Sequence, residues 1–231
     1  MEAEVQEIWA SGTVPSGMAE GMIYLIPKAA GRSLELRQWR PITILNTIYK
    51  ILAKVLARRI ASFLPDIIHE NQTGFIKGRC IFDNVFLLWE VMALADRAVS
   101  SSAILLLDFE KAYDRVLWPF LERVMSAMGL PQQWRNCTSA LYRNASSSVL
   151  VAGARGPAFQ LHRSVRQGCP LAPYLYLFVT EAFSTYLQAP SSGLRGLTIP
   201  NASEDLLLSK YTDDTVLFLQ GDDVNLQRVE H

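Results

Sequence analysis

The sequence is poor in cysteine, carries no net charge and lacks long apolar runs. Cys80, Cys137 and Cys169 are its three cysteines, and no two of them form a CxxC pair. This argues against a zinc site or a disulfide framework and favours a reducing compartment. No apolar run approaches the ~18 residues that cross a membrane, and the acidic N-terminus has no apolar signal-peptide core. We therefore expect an intracellular protein that neither binds a membrane nor is secreted.

The charges are unevenly distributed along the chain, although the formal net charge is zero. Residues 28–79 contain ten Lys and Arg against three acidic residues, and residues 123–180 contain six Arg and no acid. The acidic residues gather instead around Asp108, Asp213 and Asp222. Basic stretches combined with clustered carboxylates are typical of proteins that bind both phosphates and cations. Solvated helix faces would give the same pattern, so charge alone leaves both interpretations open.

The spacing of apolar residues predicts a mixture of helices and strands. Helices are expected over residues 48–63, 85–93 and 174–187, and at Pro119 and Pro131, since proline favours the first helical turn. Strands are expected over 21–26, 103–107, 206–208 and 216–219, and residues 149–151 and 159–161 form a hairpin. The run 103–107 is unbroken and apolar, which predicts a fully buried strand, whereas 28–40 is basic and loop-like. This mixed order predicts an α+β fold.

Two groups of carboxylates stand next to predicted strands. Asp108 directly follows the apolar run 103–107, and Asp213 and Asp214 lie in the turn between the last two strands. Burying or crowding charges is costly unless water or a cation offsets them. If the strand ends meet, these carboxylates can share Mg²⁺, which prefers oxygen ligands. Taken alone, Asp213 and Asp214 would also suit an ordinary turn, and Asp108 a loop or helix cap.

Six segments resemble the motifs of non-LTR, LINE-type reverse transcriptases, and they occur in the family's order. The first three resemble the motifs of the fingers, and the last three resemble motifs A, B and C. They are YLIPK (24–28), RPITILNTIYKILAKVLARRI (40–60), QTGFIKGRCIFDNV (72–85), ILLLDFEKAYDRV (104–116), SVRQGCPLAP (164–173) and YTDD (211–214). A YxDD box alone is weak evidence for this family, but six motifs in the family's order over nearly the whole chain are specific evidence for it.

The resemblance implies a metal site and a reaction. Asp108 and Asp213 match the metal-binding, catalytic aspartates, the main-chain carbonyl of Phe109 adds a ligand, and Asp214 has a less direct role. Two Mg²⁺ ions, or Mn²⁺ in their place, would be the cofactors. The implied reaction adds deoxynucleoside triphosphates to the 3′-hydroxyl of a DNA primer on an RNA template.

The resemblance also implies nucleotide-binding residues. Tyr113 matches the aromatic residue that excludes a ribose 2′-hydroxyl, and Gln167 and Gly168 match the motif B residues beside the nucleotide and template. Packing of Tyr113 in the core is the alternative. Lys77, Arg79 and Arg40 are candidates for triphosphate or template contacts, although each would serve equally as a surface base or a local ion pair. His69 and His162 belong to no motif, and we interpret them as structural.

The implied architecture is that of a right-hand polymerase without a thumb. Residues 1–100 would form the fingers with an N-terminal extension, and residues 101–231 a palm interrupted by fingers-like segments, with the palm sheet packed on helices. Thumb and endonuclease regions are expected in a full-length element. The sequence departs from the family at Thr212, where Ala is usual, and at Ser164, where Gly is common. Three interpretations remain open: a catalytic domain, an inactive retroelement remnant, and a nucleic-acid-binding module without chemistry.

Overall fold

A computed structural model of the protein describes residues 2–28, 35–97, 101–200 and 202–230. Helices and strands follow one another in mixed order, which confirms the α+β class. Among the described helices, none is long and apolar enough to cross a membrane. In chain order the elements are α1 (Glu2–Ser11), β1 (Glu20–Pro27), β2 (Trp39–Leu45), α2 (Thr47–Ala61), α3 (Leu64–Ile67), α4 (Ile81–Ala95), β3 (Ser102–Leu107), α5 (Trp118–Ala127), α6 (Gln132–Tyr142), β4 (Ser146–Val151), β5 (Ala154–Arg155), β6 (Phe159–Gln160), α7 (Ala172–Gln188), β7 (Leu208–Tyr211), β8 (Asp214–Gln220) and α8 (Asp223–Glu230).

The chain forms two compact units, and each is assembled from two separate stretches of sequence. The first unit contains Met1–Ile60 and Tyr113–Tyr176, and the second contains Ala61–Ala112 and Leu177–His231. Each unit combines residues from 1–100 with residues from 101–231, and neither by itself identifies fingers or palm. The expected division into fingers over 1–100 and palm over 101–231 therefore stays a prediction.

The first unit is built on a mixed sheet. Strand β1 lies between β2, with which it pairs antiparallel, and β4, with which it pairs parallel. The short strands β5 and β6 both pair antiparallel with β4, which confirms the predicted hairpin region. The helices of this unit bury apolar side chains at helical spacing, including Tyr49, Leu52 and Leu56 of α2.

The second unit is built on a three-stranded antiparallel sheet with the order β3-β8-β7. Successive side chains of a strand point to opposite faces, so β8 contributes to two apolar clusters. Leu217 and Leu219 pack with Phe183 and Leu187 of α7. On the other face, Phe218 packs with Val91 of α4. Helices therefore cover both faces of this sheet.

Most elements predicted from local spacing are present. Strand β1, the helices α2, α4 and α7, and the pair β7 and β8 lie within a few residues of the predicted ranges. Helices α5 and α6 begin next to Pro119 and Pro131, as expected. Strand β2 is not predicted from the sequence, because residues 28–40 are basic and loop-like and Pro41 weakens a strand signal. Part of that predicted loop, residues 29–34, lies outside the described residues.

Two burial predictions were wrong. Strand β3 is not fully buried, because it is an edge strand and the side chain of Leu106 is 76% exposed. Helix α4 does not bury the face formed by its regularly spaced apolar residues, which predict an amphipathic helix: Val85, Phe86, Trp89, Met92 and Ala93. Trp89 is 62% exposed and Phe86 is also exposed, whereas Val91 contacts the sheet. The apolar spacing identified the helix correctly, but nearly every face of α4 carries apolar residues, so spacing alone could not choose the buried one.

Candidate active site

The predicted metal carboxylates lie at one end of the three-stranded sheet. The antiparallel pairing of β3 and β8 places Leu107 opposite Thr215. Asp108 is the next residue after Leu107, and Asp214 immediately precedes Thr215, so both leave the sheet at the same end. The pairing of Tyr211 with Asp214 closes the hairpin and leaves Thr212 and Asp213 as its two turn residues. The structure thus brings together the acids of two segments that are about 100 residues apart.

The Asp213 carboxyl lies in a crowded electrostatic environment. Burial is the largest cause that raises its pKa above the ordinary value, and the charges of Asp214 and Asp108 raise the pKa further. A backbone hydrogen bond opposes these effects in part. Asp108 and Asp214 are both exposed, whereas Asp213 is half-buried. A cation would relieve this repulsion, because an opposite charge favours the ionised carboxylate.

Phe109 connects the end of β3 to helix α7. Its ring meets the ring of Phe183 edge-on, with 5.4 Å between the centroids. Its main-chain carbonyl, the expected additional metal ligand, accepts a hydrogen bond from the Ala112 amide at 3.2 Å. A carbonyl oxygen has two lone pairs, so one of them is left for a further partner.

A buried lysine lies three residues before Asp213. Lys210 is 1% exposed, and its ammonium donates hydrogen bonds to the Thr180 carbonyl at 2.6 Å and the Ser184 hydroxyl at 3.0 Å. Burial lowers its pKa to about 7, although the charge of Glu181 works against this change. The ammonium also lies 5.5 Å from the centre of the Phe183 ring. Strand β7 is therefore attached to α7 by a cation that is costly to bury.

In the first unit, the motif B backbone lies against strand β2. The Gln167 carbonyl accepts a hydrogen bond from the Thr43 amide at 3.0 Å. Gly168 has a φ of +104°, and a Cβ at this position would lie 2.5 Å from the Thr43 carbonyl oxygen. The Gln167 side chain is half-buried and lines a cleft of about 420 Å³ together with Arg163 and Arg166. Glycine is therefore required at 168 both for the backbone angle and for space.

Replacement of Gly168 by alanine is expected to destabilise the protein by about 3 kcal/mol, because the strained φ and the clash with Thr43 add together. Gly153 is a matched control, since its φ is +82° and a Cβ there would meet nothing within 4 Å. Gly153→Ala should therefore cost only about 1 kcal/mol. Urea denaturation of both variants measures the difference. Equal losses in the free energy of unfolding would show that the close approach of residue 168 to Thr43 does not contribute to the effect.

Tyr113, the expected sugar-contacting residue, stacks on another tyrosine. Its ring is nearly parallel to that of Tyr176, with an interplanar angle of 11° and 4.8 Å between centroids. Its carbonyl accepts a hydrogen bond from the Val165 amide at 2.9 Å, which ties it to the start of motif B. The side chain remains partly exposed. One face of the Tyr113 ring is thus covered by Tyr176, and contact of the ring with the sugar stays a prediction.

The three basic candidates occupy different environments. Lys77 and Arg40 are exposed, Arg40 on strand β2. The guanidinium of Arg79 instead donates to four main-chain carbonyls around α3, at distances from 2.7 to 3.2 Å. These bonds occupy both of its terminal nitrogens and favour a local structural role. Nucleotide contacts by all three residues stay predictions.

The two histidines outside the motifs, His69 and His162, also occupy different environments. The His69 amide donates to the Glu181 carboxylate, and its Nδ1 accepts from the Asn71 amide at 3.2 Å. His162 is exposed and lines the cleft of Gln167. The contacts of His69 agree with a structural role.

Comparison with known proteins identifies the family. The family model described as reverse transcriptase (RNA-dependent DNA polymerase) matches residues 26–231. The chain belongs to the reverse transcriptase family.

The relatives of this reverse transcriptase chain are proteins of non-LTR retrotransposons, as the motifs predicted. It is 35% identical over 224 residues to the transposon TX1 uncharacterized 149 kDa protein of Xenopus laevis, covering 97% of this chain and 17% of that protein. It is 27% identical to a Pol polyprotein of the type-1 retrotransposable element R2 of Nasonia vitripennis, covering 95% of this chain and 21% of that protein. The chain thus spans about a fifth of the length of these relatives.

Solved structures show the same fold. The apo telomerase from Candida tropicalis, truncated from its C-terminal domain, matches 99% of this chain and 49% of its own, with a TM-score of 0.61 and 14% identity. The Candida albicans telomerase solved with a fragment of telomeric RNA matches with a TM-score of 0.56. This likeness supports the polymerase fingers and palm architecture.

Sequence reasoning missed one residue at the candidate active-site turn of this reverse transcriptase chain. Gln72 belongs to the segment QTGFIKGRCIFDNV, in which the charges of Lys77 and Arg79 suggest phosphate contacts and the neutral Gln72 gives no such signal. In the structure Gln72 is 1% exposed, and its side-chain amide bonds to the backbone of Thr212. No local signal indicates this contact, because 140 residues separate the two positions.

Proposed function

We propose that the chain catalyses RNA-directed DNA synthesis, adding deoxynucleotides to the 3′-hydroxyl of a DNA primer on an RNA template. The observation that carries the proposal is the arrangement of Asp108 and Asp213 at the same end of one sheet, within electrostatic reach of each other. Family membership supplies the reaction class. An intracellular location, nuclear or cytoplasmic, is part of the same proposal because template and deoxynucleotides occur there.

The carboxylates fit a pair of Mg²⁺ ions that are bound together with the substrate. Among the described residues, no group of three or more His, Cys, Asp or Glu side chains is arranged to hold a metal alone. Mg²⁺ commonly uses one or two protein carboxylates and takes further oxygen ligands from water and substrate phosphates. Asp108 and Asp213 supply two such carboxylates. Burial raises the pKa of Asp213 most, the charges of Asp214 and Asp108 raise it further, and a bound cation would offset these charges.

Each residue at the sheet end has a distinct task in this proposal. Asp108 and Asp213 hold the cations, the Phe109 carbonyl adds an oxygen, and Asp214 contributes negative charge from the neighbouring position. When bound, the metal pair lowers the pKa of the primer hydroxyl and stabilises the leaving pyrophosphate. The side chains themselves act by position and charge, because they need only hold a fixed geometry during the transfer.

The test of this proposal is primer extension on an RNA template with deoxynucleotides and Mg²⁺. The wild-type chain should extend the primer in a template-dependent manner, and Asp213→Asn should not. A folded wild-type protein that binds the RNA–DNA duplex without extending it would contradict the catalytic proposal. That outcome would favour a nucleic-acid-binding module or an inactive remnant.

Tyr113 is proposed to select deoxyribose over ribose. A supported ring leaves no room for a 2′-hydroxyl, so Tyr113→Ala should lower the preference for deoxynucleotides by about 10- to 100-fold. The measurement compares kcat/KM for a deoxynucleotide and the matching ribonucleotide. Tyr113→Phe is the control, because it keeps the ring and should keep the discrimination. An unchanged preference in Tyr113→Ala would remove Tyr113 from the nucleotide site.

A further inference from the structure

The turn that carries Asp213 has a backbone angle that its own residues do not favour. Thr212 is the first turn residue and has a φ of +60°, whereas Asp213 has a negative φ. A two-residue hairpin turn with a positive φ only at its first position is the type in which glycine is preferred. A β-branched residue is a clear outlier there. Contacts from outside the turn must therefore hold Thr212 in place.

Gln72 supplies those contacts through its side-chain amide. Its Oε1 accepts hydrogen bonds from the Thr212 amide at 2.8 Å and the Gly74 amide at 2.9 Å. Its Nε2 donates to the Thr212 carbonyl at 3.1 Å and to the Thr180 hydroxyl at 3.4 Å. A glutamine amide has two acceptor positions and two donor positions, so all four are used. One side chain thus bonds to both backbone groups of the strained residue.

The segment around Gln72 is shaped for this close approach. Asn71 and Thr73 pair with strand β7 through the backbone of Lys210, at 2.7 and 2.9 Å. A Cβ at Gly74 would lie 2.5 Å from the Thr212 hydroxyl and 2.6 Å from the Thr212 nitrogen. Glycine at 74 is therefore what allows the segment to reach the turn.

We propose that Gln72 is a positioning residue for catalysis, which holds the Thr212 backbone so that the Asp213 carboxylate points toward its metal. The residue does not touch substrate, and it acts only through the turn. The activity readout rests on the proposed polymerase function, whereas the backbone geometry can be measured without it.

Asn225 provides a matched control at the opposite end of β8. It is fully buried, its Oδ1 accepts from the Arg195 amide at 3.0 Å, and its Nδ2 donates to the Arg195 and Gln220 carbonyls at 2.8 and 2.9 Å. Like Gln72, it bonds a side-chain amide to the amide and carbonyl of one residue. Gln220 and Asp214 are separated by the length of β8, about 20 Å. Loss of either side-chain amide should therefore lower the stability of the second unit by a similar amount. Only the loss of the Gln72 amide should change the backbone of the Thr212–Asp213 turn.

The experiment compares Gln72→Met with Asn225→Leu. We expect similar falls in melting temperature, since each variant loses a buried amide of similar size. Only Gln72→Met should lower kcat, by about 100-fold, because a small misplacement of a catalytic group has an effect of that order. KM for the deoxynucleotide should change little. An equal kcat in the two variants at equal loss of stability would overturn the proposal.

Two further measurements separate this proposal from the polymerase function itself. Hydrogen exchange of the Thr212 amide should accelerate in Gln72→Met and stay slow in Asn225→Leu, whether or not the wild type extends primers. Continued protection of that amide in Gln72→Met would refute the contact.

If Gln72→Met alone does not fold, the change is made in a Thr212→Gly background, where the turn no longer needs external support. There the kcat loss caused by Gln72→Met should be much smaller, and an undiminished loss would count against positioning.

Discussion

Asp213→Asn is expected to lower primer extension by on the order of 10³-fold or more, because a metal carboxylate contributes several kcal/mol to charge stabilisation in the transition state. The same change should leave the folded protein at least as stable as the wild type at neutral pH. The pKa of Asp213 is raised in the folded state, so its ionised form is disfavoured there. Asparagine keeps the shape of the side chain and removes the charge that is repelled by Asp108 and Asp214. Primer extension and urea denaturation of the same preparation measure the two effects.

A suitable control is Asp205→Asn, which removes an exposed carboxylate from the segment before β7. This variant should retain extension, since Asp205 lies outside the turn and the end of β3. Wild-type extension by Asp213→Asn would refute the metal-site assignment. Loss of activity together with a large loss of stability would instead show that Asp213 supports the fold.

The stability of the protein is expected to rise with pH above about pH 7 because of Lys210. Burial lowers the pKa of Lys210 to about 7 in the folded protein, compared with roughly 10.4 for an exposed lysine. Between these values the unfolded chain holds a proton that the folded chain has lost, so raising the pH favours folding. Below pH 7 both states are protonated and the slope disappears. The expected gain between pH 7 and 8.5 is about 2 kcal/mol.

Lys210→Met isolates this contribution, because methionine is of similar length and has no charge. Denaturation midpoints across this pH range should rise in the wild type relative to Lys210→Met. The buried cysteines Cys137 and Cys169 titrate at higher pH in the folded state, but they are common to both proteins. Parallel pH profiles for the two proteins would show that Lys210 keeps its ordinary pKa.

The two residues that depart from the family motifs, Ser164 and Thr212, both have positive φ angles in the structure. Ser164 has a φ of +96° and Thr212 a φ of +60°. Ser164 stands where glycine is common in the family, and this backbone region favours glycine. The sequence showed that both residues are unusual for their positions. Only the backbone showed that both are strained, and that Thr212 is held from outside by Gln72.

The sequence by itself determined the mixed fold class, most helices and strands, and the order of the motifs that carry Asp108, Asp213 and Asp214. These features depend on apolar spacing, proline and turn residues within a few positions of one another, and such local preferences can be read directly. The tertiary structure decided the partly exposed edge position of β3, the buried face of α4, the burial of Lys210 and the contact of Gln72 with Thr212. Each of these depends on which distant segments meet. The contacts that connect residues 72, 180 and 210 leave no pattern in the local sequence, because their energies arise only when burial removes water from all the partners at once.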